Sequence, residues 1–330
     1  NDGGFGPDGD QDIIKCGSYT GNGNSTGPTI DLGFEPQWIL QKSGTKSNTD
    51  WAIADFMRGF TADGVYQRLR PNRDSAEGSE TQLAPTSTGF KVVGTAGDVN
   101  ENGSDYIYMA IRRGGMQTPT TGTDVFAIDA RTGLTPEYVS GFPVDFALVK
   151  DSNSSSDWIV NTRLIGNKFL ETNTDDAEAD DSLAKFDIQN GIRSDAVAGD
   201  YGWMWKRARG YFDVVAYTGN DSNRTISHNL GVAPEMIWVK DRGRTQNWAV
   251  YHANNTSEPA TDRLRLNANQ ATVDDNTYWN DTQPTSSVFS VGTDGDVNTS
   301  GEKYIAYLFA TAAGVSKVGS YTANGSAQNI

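Results

Sequence analysis

Along almost the whole chain, short apolar runs alternate with clusters of Gly, Asn, Asp and Ser. In the first third the runs fall at 13–19, 37–42, 51–56, 66–70, 89–94 and 106–112. They are rich in β-branched and aromatic residues, which predicts strands bounded by turns. About seven strands in roughly 100 residues is the size of a β-sandwich. No stretch keeps an apolar period near 3.6 residues, so little helix is expected.

The pattern repeats. Lys15-Cys-Gly-Ser-Tyr-Thr-Gly-Asn-Gly23 returns as Asp213-Val-Val-Ala-Tyr-Thr-Gly-Asn-Asp221 and as Lys317-Val-Gly-Ser-Tyr-Thr-Ala-Asn-Gly325, so Tyr19 matches Tyr217 and Tyr321. Such self-similarity predicts a tandem array. The expected organisation is a Gly- and Asp-rich linker (1–12), unit one (13–113), a Gly/Thr/Pro connector (114–124), a shorter diverged unit two (125–209), unit three (210–314) and the start of a truncated fourth unit (315–330). The expected fold class is all-β: tandem β-sandwich repeats, jelly-roll or lectin-like, of about 100 residues. Sandwiches joined by short linkers would make a stiff rod with modest contacts between neighbours. Unit two could instead pack its strands against a neighbour.

Matching unit to unit, Phe146-Ala-Leu-Val-Lys150 aligns with Trp38-Ile-Leu-Gln-Lys42, Trp158 and Trp248 with Trp51, Trp238 with Trp38, and Tyr201 and Tyr304 with Tyr106. Aromatics that recur between apolar neighbours behave as core. Tyr19, Trp38, Trp51, Trp158, Tyr217, Trp238 and Trp248 are therefore expected inside the sandwiches. Tyr251, Tyr278 and Trp279 stand outside the shared pattern and are the candidates for stacking on a glycan, since each ring offers a flat apolar face with a polar edge.

Charge and candidate chemistry narrow the function. The formal net charge is −15, with 42 acidic against 27 basic residues. That balance repels phosphate backbones and argues against a nucleic-acid partner. No apolar run is long enough for membrane insertion. The single cysteine, Cys16, excludes an intrachain disulfide and reads as a small buried residue. Asp98-Val-Asn-Glu-Asn-Gly103 starts like a calcium loop, but its twelfth position is Met109 rather than an acid, and in the counterpart from Asp296 it is Tyr307. Side-chain-capped turns are the better reading, so no metal and no cofactor is expected. The acidic stretch 173–181 reads as a solvated loop.

The only histidines, His228 and His252, read as surface or loop residues. Ser257 and Asp262 lie near His252 without a nucleophile motif around them. Asp55, Thr162 and His252 share one place in the repeat, so no catalytic acid or base is common to the units. A facing carboxylate pair, as a glycosidase needs, cannot be nominated. No catalytic residue is expected, and a glycan-degrading depolymerase ranks last among the readings.

The phrases Gly17-Ser-Tyr-Thr-Gly-Asn-Gly, Leu32-Gly-Phe-Glu-Pro-Gln-Trp-Ile-Leu, Tyr106-Ile-Tyr-Met-Ala-Ile-Arg-Arg, Phe212-Asp-Val-Val-Ala-Tyr-Thr-Gly, His228-Asn-Leu-Gly-Val-Ala-Pro-Glu and Tyr304-Ile-Ala-Tyr-Leu-Phe-Ala-Thr resemble an uncharacterised repeat family. That family occurs in virion and tail-fibre-like proteins of tailed phages, notably marine bacteriophages, often beside concanavalin-A-like lectin domains. The resemblance implies a non-enzymatic structural protein on the virion surface, a tail fibre or other appendage. Its partners would be further copies of itself (a homo-oligomer) and other virion proteins. The alternative is a lectin-like adhesin that reads host surface glycans during host attachment.

Overall fold

A computed structural model describes residues 12–114, 117–131, 136–181, 185–193 and 200–330. The expected linker therefore lies, but for Asp12, outside the described residues. The chain is all-β, with antiparallel sheets throughout. Among the described residues its one α-helix is the single turn Asn276–Trp279.

Three sheets share one strand order. In the first, Ile14–Thr20 pairs with Asp105–Arg112, which pairs with Pro36–Ser43 and then Ala52–Asp55. The second runs Phe126–Ala130, Asp200–Trp205, Phe146–Asp151, Ile159–Thr162, Lys168–Glu171, Ala179–Asp180. The third runs Phe212–Thr218, Lys303–Phe309, Met236–Asp241, Ala249–His252, Asp262–Arg265, Val273–Asp274. In each, the first strand of the unit pairs with the last. A smaller sheet covers the inner face of each: Thr29–Asp31 with Gly89–Val92 and Leu83–Thr86, Tyr138–Val139 with Gly191–Ile192, and Arg224–Ser227 with Val288–Val291.

The repeated phrase has a structural reason. Tyr19 lies in the core, stacks on Tyr106 at 5.0 Å and donates its hydroxyl to the Val99 carbonyl. Gly21 follows because a Cβ there would stand 2.4 Å from the Glu101 carbonyl oxygen. Asn100 closes the latch: its amide donates to the carbonyls of Asn24 and Gly94, and its oxygen accepts from the Asn22 N–H. Unit three repeats this with Tyr217 on Tyr304 at 5.2 Å, Gly219, and Asn298. The Tyr-Thr-Gly-Asn phrase and the Asp-Val-Asn turn are thus two halves of one lock, and the capped-turn reading of the second half holds. Tyr321, in the third copy of the phrase, is 67% exposed and belongs to no strand.

The pairing registers correct two of the matches made on residue identity. Leu40 and Trp238 occupy equivalent places, opposite Met109 and Tyr307, so the counterpart of Trp38 is Met236. Trp38 and Trp238 sit two residues apart in register, which keeps the face but changes the row. The match of Tyr201 with Tyr106 slips by one: Lys150 faces Tyr201 where Lys42 faces Ile107. A one-residue slip turns every side chain over, and accordingly Tyr106 is buried while Tyr201 is exposed.

The outer faces of the large sheets decide how the units meet. Lys303–Phe309 is buried on both sides: Tyr304, Ala306 and Leu308 in the core of unit three, Ile305 and Tyr307 in a second core shared with Phe146, Val160 and Leu170 of unit two. Phe146 lies 4.7 Å from Tyr307 and 5.5 Å from Phe212, ring centre to ring centre. Unit two keeps its own inner core around Tyr138, Val149, Ile192 and Met204. The units are therefore joined by a packed sheet-on-sheet interface as well as by linkers, which overturns the expectation of modest contacts between neighbours. Two-sided burial explains why 304–309 reads as an unbroken apolar run rather than an alternation. Truncating Phe146 to Ala would hollow the shared core, at a cost of about 3–5 kcal/mol. Chemical denaturation of Phe146→Ala should show that loss, and an unchanged midpoint would mean the shared core contributes nothing.

Candidate functional site

The ionisable groups gather where the three units meet. Arg207, at the end of the last large strand of unit two, donates to both carboxylate oxygens of Glu35 from unit one and, through Nε at 2.8 Å, to Asp213 of unit three. Beside it Asp145 of unit two receives Arg113 of unit one at 2.6 Å and its own unit's Arg163 at 3.4 Å, and it accepts the Arg207 N–H. All six side chains are buried or nearly so. A second junction mirrors the first. Arg242 of unit three is bonded to Asp63 of unit one at 2.7 Å and to Glu178 of unit two at 2.7 Å. Each junction is an arginine of one unit gripped by carboxylates of the other two.

The electrostatics follow from burial against pairing. Burial alone would raise the Asp145 carboxyl, but Arg113, Arg163 and Arg207 outweigh it and hold it below the ordinary carboxylate range. Burial pulls Arg163 down to about 10, with Asp145 opposing it. Arg207 goes the other way: burial would lower it, and Glu35 and Asp213 raise it above the usual arginine value. The cleft beside Arg207, lined by Glu35, Arg113 and Asp213, has about 30 Å³ of room for water-sized guests, enough for a water or two. The acids here are committed to guanidinium groups, and the cleft does not admit a sugar.

The candidates for glycan stacking are buried. Tyr251 donates to Gln283 at 2.6 Å and meets Trp279 edge-on at 5.9 Å, while Tyr278 donates to Asp296 at 2.5 Å. All three rings are in the core of unit three and present no face to a ligand. Tyr278 and Trp279 lie on the one-turn helix of this unit, and Tyr251 stands on its strand where unit one has Ala54. Of the expected core residues, Tyr19 and Trp248 are buried, and Tyr217 and Trp238 pack partly buried against cores. Trp38 and Trp51 are half-buried on the outer face of unit one, and Trp158 is 36% exposed. Cys16 is exposed on that same outer face, contrary to the expected burial, because the alternation puts Gly17 and Tyr19 inward.

His228 is also buried rather than on a loop surface. Its Nδ1 accepts from the Leu230 N–H and its Nε2 meets the Thr285 carbonyl at 3.2 Å, so Nε2 carries the proton. Burial lowers its pKa. His252 accepts the Asn254 N–H in a turn, Asp55 caps the short turn Phe56–Arg58, and Thr162 bonds the Tyr307 hydroxyl at 2.8 Å. The stretch 173–181 is not simply solvated. Glu178 reaches Arg242, and the Asp175 carbonyl accepts Lys240, which burial lowers to about 8. Among the described residues no group of three or more His, Cys, Asp or Glu could hold a metal ion. No helix among them is long and apolar enough to cross a membrane.

What identity matching missed is an aromatic row on the outer face of unit two. Trp203 lies 5.3 Å from Trp158 and 6.4 Å from Tyr201, beside the exposed Ile128. The loop at its edge is tied down: Asn173 accepts the Trp158 N–H at 2.8 Å and bonds Asp157 at 2.7 Å, and Lys150 arches onto the Asp151 and Ser154 carbonyls. The alternation Tyr201, Trp203, Trp205 was the available signal, since three large rings at every second position mark one sheet face.

Fold and site together define a tandem β-sandwich protein whose units are locked by buried ion pairs and whose outer sheet faces expose some large apolar side chains. Residues 11–113 and 206–330 match the profile of DUF7483, described as a domain of unknown function. The chain belongs to that family. Unit two lies between the matched stretches. No curated protein matches the chain.

Replacing Arg207 with Ala would leave buried Glu35 with only the 3.9 Å approach of Arg113 and Asp213 with only the Asn229 N–H, a change that costs about 3–5 kcal/mol. Arg73→Ala, which removes the exposed pair with Asp50, should leave the urea midpoint nearly unchanged, since water and salt screen such a pair. Urea midpoints of the two variants measure the difference, and equal midpoints would mean the junction does not hold the units.

Proposed function

We propose that this chain is a structural segment of a tailed-phage virion, in a tail fibre or similar surface appendage, and that it works by assembly rather than by turnover. The observation that carries this reading is where the charged groups are spent. Buried acids and arginines at two junctions bond one unit to the next, and the large sheets leave apolar side chains such as Ile14, Ile107 and Ile128 facing outward. A protein built to hold shape needs that division of labour. Its partners are further copies of itself and other virion proteins, and the resemblance of its repeated phrases to phage fibre-like proteins supplies the location. Electron cryomicroscopy of the particles that carry it should find it on a tail or fibre, in symmetric copies. Absence from the particle would sink the reading.

A second reading, a module that binds host surface glycans, is favoured by the exposed row Trp158, Trp203 and Tyr201 beside Asp157 and Asn173. Ring faces stack on the apolar faces of sugars while neighbouring polar groups take hydroxyls. A glycan array probed with the intact chain should then give hits that Trp203→Ala weakens about tenfold, the equivalent of 1.4 kcal/mol. An array without hits removes this reading and leaves the structural one standing.

A further inference from the structure

The outer face of unit one is built like the outer face of unit three, but no unit among the described residues packs on it. The registers make the two faces superimposable in sequence: Ile14, Cys16, Ile107, Met109, Ile111 and Leu40 stand where unit three has Phe212, Val214, Ile305, Tyr307, Phe309 and Trp238. In unit three this grid is sealed by unit two, and Ile305 is 0% and Phe212 1% exposed. In unit one Ile107 is 47% and Ile14 56% exposed, and Cys16 is open to solvent.

We propose that the outer sheet face of unit one is a docking surface for the same face of a second copy of this chain. The proposal rests on the structural reading above and names the surface through which the copies meet. Three observations select this occupant. The molecule already shows how its units pair, since unit two meets unit three with outer face against outer face across Phe146, Phe212 and Tyr307. The unit-one face is self-complementary in chemistry, with its charged side chains Lys42, Asp55 and Asp105 toward the ends of the grid, so a twofold axis can set it against itself. A contiguous apolar patch of a few hundred Å² is of the size that is often functional on a monomer.

The size of the patch sets the strength. Four strands about 4.8 Å apart and some seven residues long, at about 3.3 Å each, offer roughly 400 Å² per copy, at the low end for a specific interface. The pairing is therefore weak and concentration-dependent in isolation.

The test is sedimentation equilibrium of the intact chain from roughly 1 to 200 μM, the range of a weak complex, with Met109→Glu and Ile107→Lys alongside. A wild-type dimer weakened by ~30-fold or more in both variants is the expected result, as for central interface positions. Cys16 gives an independent readout: its alkylation should slow as wild-type concentration rises and stay constant in the variants. Both substitutions lie on the solvent side of the sheet, and thermal unfolding checks that the variants remain folded. A wild-type dimer that survives both substitutions overturns the face and leaves self-assembly intact. A dimer broken instead by Trp203→Ala assigns the contact to the aromatic row of unit two and also overturns it. A chain that stays monomeric throughout overturns both the face and self-assembly.

Discussion

Arginines buried between units are the constraint on which the arrangement depends. A guanidinium taken out of water must be matched in charge and in hydrogen bonds, or it costs several kcal/mol. Arg207 is matched only when units one and three both present their carboxylates, and Arg242 only when units one and two do. Neither can be satisfied within its own sandwich. Relative to an apolar filling such clusters add little stability, but they penalise every arrangement in which one unit is displaced. The apolar core shared by units two and three supplies attraction without direction, and the two arginines supply the direction.

The three units show how one framework takes on different tasks. The lock between the Tyr-Thr-Gly-Asn phrase and the Asp-Val-Asn turn is kept in units one and three, and it lies at the end of the sandwich, away from the outer face. Equivalent lysines, Lys42, Lys150 and Lys240, each arch over their own hairpin onto nearby carbonyls. Lys240 is then covered by another unit, and burial lowers its pKa. The same local geometry is thus placed in different surroundings by what packs above it.

Much of the fold was legible. Strand content, the scarcity of helix and the repeat follow from period and turn chemistry, which are local. Register was only partly legible. Matching Trp with Trp misplaced Trp238 by a row, and matching Tyr with Tyr turned Tyr201 over, because residue identity does not report hydrogen-bond partners. The burial of Tyr251, Tyr278 and Trp279 depends on a helical turn special to unit three. The junctions left a signal that could have been read: Glu35, Asp145 and Glu235 each stand just before the third strand of their unit, and Arg113 and Arg207 each come within two residues after the end of a last large strand. In-register acids and arginines flanking apolar strands ask for partners. Which partner each finds is a matter of how the units are placed, and no local pattern contains it.

Unit two is the piece that makes the others differ. With its outer face it seals unit three, and with its loop 173–178 it reaches Lys240 and Arg242. One sheet face cannot seal two neighbours at once. Unit one is therefore held through ion pairs and backbone contacts at its edge, such as Arg163 to the Phe56 carbonyl and the Ala62 N–H to Leu164, and its own apolar face is left open. The edge contacts are directional and need no broad surface, which is why the fold can fix unit one in place while its large sheet stays uncovered among the described residues.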